Sequence, residues 1–163
     1  MPTQLSAGIL LYRRSDAHGS LEVLLAHPGG PYWKRQQFGS WSVPKGVAEP
    51  DEPLHAVAAR EFHEEVGFEL SAVAVDPSRP HLDLGEVTLK SGKVVRAWAV
   101  EGDLDPALAT SNEIEILWPP KSGRMMVIPE VDEVGWFGLD EARRRAHPAQ
   151  AEFMDRLEVA LRG

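Results

Sequence analysis

The chain has 163 residues, 43% of them hydrophobic, with 17 basic against 25 acidic side chains, a net charge of -8 and no cysteine. That length and apolar share suffice for one continuous core, so a single domain over 1–163 is expected, while the lack of cysteine excludes disulfides, thiolate metal sites and cysteine nucleophiles. The negative charge opposes general affinity for nucleic-acid backbone or anionic membrane, and leaves room for a small anionic ligand neutralised locally or by a cation.

The opening MPTQLSAGILLYRR has only a short apolar run and no basic leader before it, so neither a signal peptide nor a membrane span is expected and the reading is cytoplasmic. Residues 5–14 and 21–27 read as two extended segments joined by the polar turn SDAHGS, a first hairpin. PGGPYWKRQQFGS follows as an ordered surface loop, and WSVP as a short strand ending beside Lys45 and Gly46. From Asp51, Glu52 and Pro53 the chain takes helical spacing to about Val66, where Gly67 supplies a stop. HLDLGEVTL and VVRAWAV flank KSGK as a second hairpin, and EIEILW is a further strand before Pro119 and Pro120. VDEVGWF leads into a short helix near 140–146 with Asp140 as a cap; His147 and Pro148 interrupt it, and 149–161 reads as an amphipathic closing helix. Strands in the first two thirds, one central helix and a helical end indicate a mixed α/β domain, and the hairpins argue against a purely parallel dinucleotide-binding sheet.

On the central helix, Glu61, Glu64 and Glu65 share an arc beside a largely apolar sector of His55, Ala58, Ala59, Phe62 and Val66. One reading is a solvated acidic stripe. The other is a cation site: three adjacent carboxylates repel one another to no benefit for folding, and hard oxygen ligands suit magnesium, which also bridges phosphate oxygens.

Gly46, Glu52, Arg60, Glu61, Glu64, Glu65 and Gly67, with apolar Phe62 and Phe68, fill every position of the pattern G-x5-E-x7-R-E-U-x-E-E-x-G-U, U being bulky and apolar. Coincidence of seven fixed identities at a given start is on the order of 10⁻⁸ at ordinary residue usage. This stretch resembles the box of the Nudix hydrolases, the MutT-like family, and GSWSVPKG before it and VDEVGWFGLDEA after it are similar to the family at the corresponding places. The resemblance implies an α/β/α sandwich with a mixed sheet and a loop–helix–loop site for metal and diphosphate. It implies that Glu64 and Glu65 ligate Mg2+, or Mn2+, together with the main-chain carbonyl of Lys45; that Glu61 binds metal or orients and deprotonates the attacking water; that Arg60 positions the glutamates; and that Glu52 supports the loop and helix. A late glutamate often joins such sites as ligand or base, and Glu130 and Glu133 are the candidates, each with a solvent-facing alternative. The implied reaction is metal-dependent hydrolysis of a phosphoanhydride bond in a nucleoside diphosphate linked to another group, on a small-molecule substrate. The alternative is a catalytically inactive, nucleotide-binding regulatory protein on the same fold.

Substrate signals are sparser. Trp33, Lys34 and Arg35 offer a stacking surface and two charges, or simply cover an apolar edge; Lys121 and Arg124 in PPKSGR face a polyphosphate, or belong only to a turn. No phosphate-cradling loop of the Gly-Lys-Ser type and no serine nucleophile elbow is present. His55 is expected to pack inward, Trp41, Trp98, Trp118 and Trp136 to serve core or sheet packing, and Phe153, Leu157 and Leu161 to pack on their own sheet or to support a homodimer. Extension signatures of coenzyme A or NADH specialists are not found, and region 82–86, LDLGE, does not match the ADP-ribose or dinucleoside-polyphosphate pattern.

Overall fold

The computed structural model describes residues 4–15 and 19–162. Its strands are β1 (Leu5–Arg14), β2 (Leu21–Pro28), β3 (Lys45–Val47), β4 (Leu82–Thr88), β5 (Val94–Glu101), β6 (Glu113–Leu117), β7 (Met125–Pro129) and β8 (Val131–Gly138). Its helices are α1 (Leu54–Val66), α2 (Leu70–Val73), α3 (Leu139–Arg145) and α4 (Ala151–Arg162). The main sheet runs β4-β5-β1-β2-β8, with β3 added to β1, and β6 and β7 form a separate two-stranded ribbon. β1 and β5 are parallel, whereas β1 with β2 and β3, β2 with β8, and β4 with β5 are antiparallel, so the sheet is mixed.

The run AGILLY in β1 is apolar at consecutive positions because both faces of this central strand are covered. Ile9 and Leu11 point into the layer shared with Leu24 of β2 and with Val57, Phe62 and Val66 of α1, while Leu10 and Tyr12 point the other way, towards Val23 and Leu25 of β2 and the Phe153, Met154 and Leu157 side of α4. The result is the α/β/α sandwich that the sequence resemblance implied. Leu161 packs on the same cluster as Phe153 and Leu157, so that apolar face of α4 serves its own sheet. Arg156 of α4 donates to the carbonyls of Leu84 and Glu86 at 2.8 and 2.9 Å, covering backbone acceptors freed by the irregularity in outer strand β4.

Both expected hairpins form, although Asp16, Ala17 and His18 of the first turn lie outside the described residues. Other expectations shift. WSVP makes only isolated bridges, Ser42 with Ala26 and Trp41 with Ala146, and the strand begins at Lys45. Pro53 is the cap rather than the first helical residue of α1, and Gly138, not Asp140, caps α3. VDEVGWF is itself strand β8, and MMVIP forms β7, for which the sequence showed no strand signal. His55 is exposed: the inward positions of α1 are 57, 58, 61, 62, 65 and 66, and its ring lies outside, against His81 and Trp98. Among the described residues no helix is long and apolar enough to cross a membrane.

Candidate active site

Two i, i+4 rows of α1 face the sheet, Ala58–Phe62–Val66 and Val57–Glu61–Glu65. The first enters the core, and the second carries two carboxylates inward, leaving Glu61 8% and Glu65 7% exposed. The acidic residues of the helix are therefore not a solvated stripe; only Glu64 keeps a half-exposed position. Glu61 lies so close to β3 that a Cβ on Gly46 would stand 2.0 Å from its Cδ, which is why glycine occupies that position. Glu65 Oε1 accepts from the backbone N–H of Lys45 at 3.3 Å. At the far end Gly67 adopts φ 85° and its N–H donates to the His63 carbonyl, closing the helix where the sequence placed its stop.

Arg60 ties the acidic groups together. Its Nε and Nη2 donate to the two oxygens of Glu52 at 2.9 Å each, a fork-to-fork pair, and Nη1 reaches Glu61 Oε1 at 2.9 Å and Glu64 Oε1 at 3.2 Å. The bond to Arg60 holds the Glu52 carboxyl below the usual range, and Glu52 also accepts from the Glu49 N–H at 3.3 Å, closing the loop that leads into α1. Glu65 behaves oppositely. Burial pushes its carboxyl up to about 9, Glu130 and Glu61 add repulsion, and the Lys45 charge and N–H only partly oppose them. Glu61 is also raised, by burial and then by Glu64 and Glu130, against the pull of Arg60.

Glu65, Lys45 and Glu130 stand near one another in the wall of a cavity of about 600 Å³. Glu130 is held by its backbone, its N–H donating to the Asn112 carbonyl and its C=O accepting from Gly29, both at 2.9 Å. Glu133 is exposed and borders a smaller cleft of about 220 Å³ whose wall also includes Glu65. Both late glutamates thus stand near the helix carboxylates, on different openings. Among the described residues no group of three or more histidines, aspartates or glutamates has side chains already converged as a cation cage, and Arg60 is the partner of Glu61 and Glu64 in this arrangement.

Of the expected substrate residues, Trp33 lines the cavity; Lys34, Arg35, Lys121 and Arg124 are exposed and stand beside lining residues without lining it themselves. Trp118 also lines it, rather than serving the core. Tyr32, Ile114, Ile116, Ile128 and His147 also line it, and no local pattern joins them, because β6, β7 and the loop after β2 meet only in three dimensions. His147 accepts from the Ala149 N–H at 3.3 Å, and burial together with the Lys45 charge keeps its pKa below the ordinary value.

The NUDIX domain family matches residues 2–157, nearly the whole chain. This chain belongs to the NUDIX family of MutT-like hydrolases. Among relatives of this NUDIX chain, an 8-oxo-(d)GTP phosphatase of Mycolicibacterium smegmatis is 31% identical over 137 residues, covering 76% of this chain and 37% of that protein. The chain thus spans well under half the length of that curated relative. Among solved structures, the C. elegans Ap4A hydrolase in a binary complex superposes with a TM-score of 0.65 at 20% identity, covering 97% of this chain and 98% of that one. The NUDIX domain of Shewanella oneidensis NrtR, complexed with ADP ribose, superposes with a TM-score of 0.63 at 16% identity, covering 99% of this chain and 90% of that one. At those identities the two structures speak for the fold.

Proposed function

We propose that this NUDIX chain hydrolyses a phosphoanhydride bond in a nucleoside diphosphate linked to another group, with Mg2+ or Mn2+ held by Glu61, Glu64, Glu65, Glu130 and the main-chain carbonyl of Lys45. The observation that carries the reading is Glu65, a carboxylate 7% exposed that feels both Glu61 and Glu130 and forms part of a cavity wall. Such a donor set, all hard oxygens with an excess of negative charge, fits a hard dication. When bound, the metal supplies a coordinated water of lowered pKa and a counter-charge for the diphosphate oxygens.

The protein's own groups supply the rest. Arg60 fixes Glu52, Glu61 and Glu64 through four hydrogen bonds, so the carboxylates are ordered before substrate arrives. Glu61, whose proton affinity is raised by burial and by Glu64, is suited to accept a proton from the attacking water; Glu133, on the neighbouring cleft, is the other acceptor within the same region. Trp33 contacts the substrate inside the cavity, and Lys34, Arg35, Lys121 and Arg124 meet phosphate oxygens that extend out of it. The names of the relatives, an 8-oxo-(d)GTP phosphatase and an Ap4A hydrolase, support a nucleotide as substrate.

The test is hydrolysis of a panel of nucleoside triphosphates, dinucleoside polyphosphates and nucleoside diphosphate sugars, followed by product mass with and without Mg2+ or Mn2+. Metal-dependent cleavage that falls by at least about a hundredfold in Glu64→Gln and Glu65→Gln is expected. Nucleotide binding with no product from any member of the panel would establish the regulatory alternative instead.

A further inference from the structure

Away from the helix carboxylates, two histidines from separate elements bring ring nitrogens together. His55 stands in the first turn of α1 and His81 just before β4; His55 Nε2 and His81 Nδ1 face each other at 2.5 Å, with the rings edge to face at 89°. His55 is exposed and lies against Trp98 of β5, centroids 5.1 Å apart, while His81 is half-buried and borders a cleft of about 270 Å³. The other histidines among the described residues are engaged differently. His27 sets its two ring nitrogens against Asp132 and the Gln36 carbonyl at 2.7 Å each, His147 accepts from the Ala149 N–H, and His63 lies 3.6 Å from Glu69.

The 55–81 pair has a latitude that His27 lacks. His55 Nδ1 and His81 Nε2, the nitrogens turned away from the contact, meet no hydrogen-bond partner among the described residues, so nothing fixes the tautomer of either ring. In the hydrogen bond one of the facing nitrogens carries a proton; with that proton on the outward nitrogen instead, two lone pairs converge on one point. Burial and the neighbouring His55 hold the His81 pKa below its ordinary value, which keeps that ring neutral at pH 7, the form a metal requires. A dication at about 2.0–2.1 Å from each nitrogen would set them about 2.9–3.4 Å apart for angles of about 90–109°, less than about 1 Å beyond their present spacing. Rotation of the exposed His55 side chain supplies that opening. The neighbouring arginines, Arg79 and Arg96, are paired with Glu101 and Asp83, so their charges are offset, and the net charge of -8 favours a cation.

We propose that His55 Nε2 and His81 Nδ1 form a second metal site, for a first-row dication that favours imidazole, Cu2+, Ni2+ or Zn2+, with water in the remaining positions. Two protein ligands and solvent access suit an exchangeable ion rather than a closed structural centre. Nitrogen ligation separates this site from the oxygen donors proposed for Mg2+, and the inference stands whether or not the chain is a hydrolase. The ion ties the first turn of α1 to the start of the outer strand β4, and it favours the folded chain because the two ligands are 26 residues apart in sequence.

The experiment titrates the whole chain with Cu2+, Ni2+ and Zn2+ in excess Mg2+, by calorimetry and tryptophan fluorescence, and records the electron paramagnetic resonance of the Cu2+ form. Binding that is tightest for Cu2+, with hyperfine coupling to imidazole nitrogen and partial quenching of the fluorescence, is expected. His55→Ala and His81→Ala should each weaken it by at least about tenfold, whereas Glu65→Gln should leave it unchanged. Trp98→Phe should keep the calorimetric binding and remove most of the quenching, since Trp98 is the indole beside His55. Binding unaltered in both histidine variants, binding lost in Glu65→Gln, a Cu2+ spectrum without nitrogen coupling, or full quenching in Trp98→Phe each overturns the site. If His81→Ala does not fold, the exposed His55→Ala decides alone: a loss of at least about tenfold upholds the site and unchanged binding overturns it.

Discussion

Glu65 is an expensive residue for a fold to hold, because a buried carboxylate beside Glu61 and Glu130 loses hydration and gains repulsion. Two expectations follow from that placement. Glu65→Gln should lose at least about a hundredfold in metal-dependent turnover, yet melt at a higher temperature than the natural protein in chelator at neutral pH, since a carboxyl pushed up to about 9 must take up a proton on folding and the amide, of the same shape, does not; calorimetry of both proteins without metal checks the sign. Gly46→Ala acts on the neighbouring carboxylate through space alone. The added methyl carbon would stand 2.0 Å from Glu61 Cδ, and a displacement near 1 Å is on the order of a hundredfold in rate. The loss should appear in kcat, and steady-state kinetics over several pH values separates misplacement from altered titration. The sequence displayed both residues through the spacing of the box. It did not display that Glu61 and Glu65 point inward, since the sector assigned to the core there began at His55 and the true rows begin at Val57 and Ala58.

At the scale of elements, α1 was legible because its signals are local: a proline before it, i, i+4 rows within it, a glycine after it. Gly67 tests how much its end contributes. At φ 85°, with Thr110 Oγ1 2.2 Å from where a Cβ would sit, Gly67→Ala should destabilise by about 1–3 kcal/mol, seen as a lower urea midpoint at an unchanged slope. The β6–β7 ribbon was legible only by half. β6 alternates Ile114, Ile116 with glutamates, but β7 exposes Met125, Met126 and Val127, so no pattern of burial marks it in sequence, and its pairing with β6 is what brings Trp118 and Ile128 to one cavity. A second contact between elements has a pH signature. His55 of α1 and His81, just before β4, share a hydrogen bond of 2.5 Å, and burial and the neighbouring His55 hold the His81 pKa below its ordinary value. The folded chain binds that proton less readily than the unfolded chain, so the stability gained is complete above about pH 6.5 and is lost as pH falls through the lower, folded-state value. Between pH 7 and pH 5 the melting temperature of the natural protein should therefore fall more steeply than that of His81→Phe.

For the molecule as a whole, the acidic part of the cavity wall joins parts that the chain keeps far apart: Lys45 on β3, Glu65 on α1, and Glu130 between β7 and β8. A dication bound by such a set links the helix, β3 and the ribbon at once, and it binds the folded chain alone because these donors are scattered in the unfolded one. At a hundredfold excess over its Kd the cation should stabilise by about 2.7 kcal/mol, which for a chain of this size corresponds to about 5–10 °C in Tm. Chelator should reverse the shift, and potassium at matched ionic strength should not reproduce it, although screening of the net charge of -8 acts in the same direction. The discriminating comparison is the double one. If Tm rises with Mg2+ in the natural protein and stays flat in Glu65→Gln, the stabilisation belongs to the buried site; if both rise equally, the cation acts on the acidic surface and the metal assignment fails.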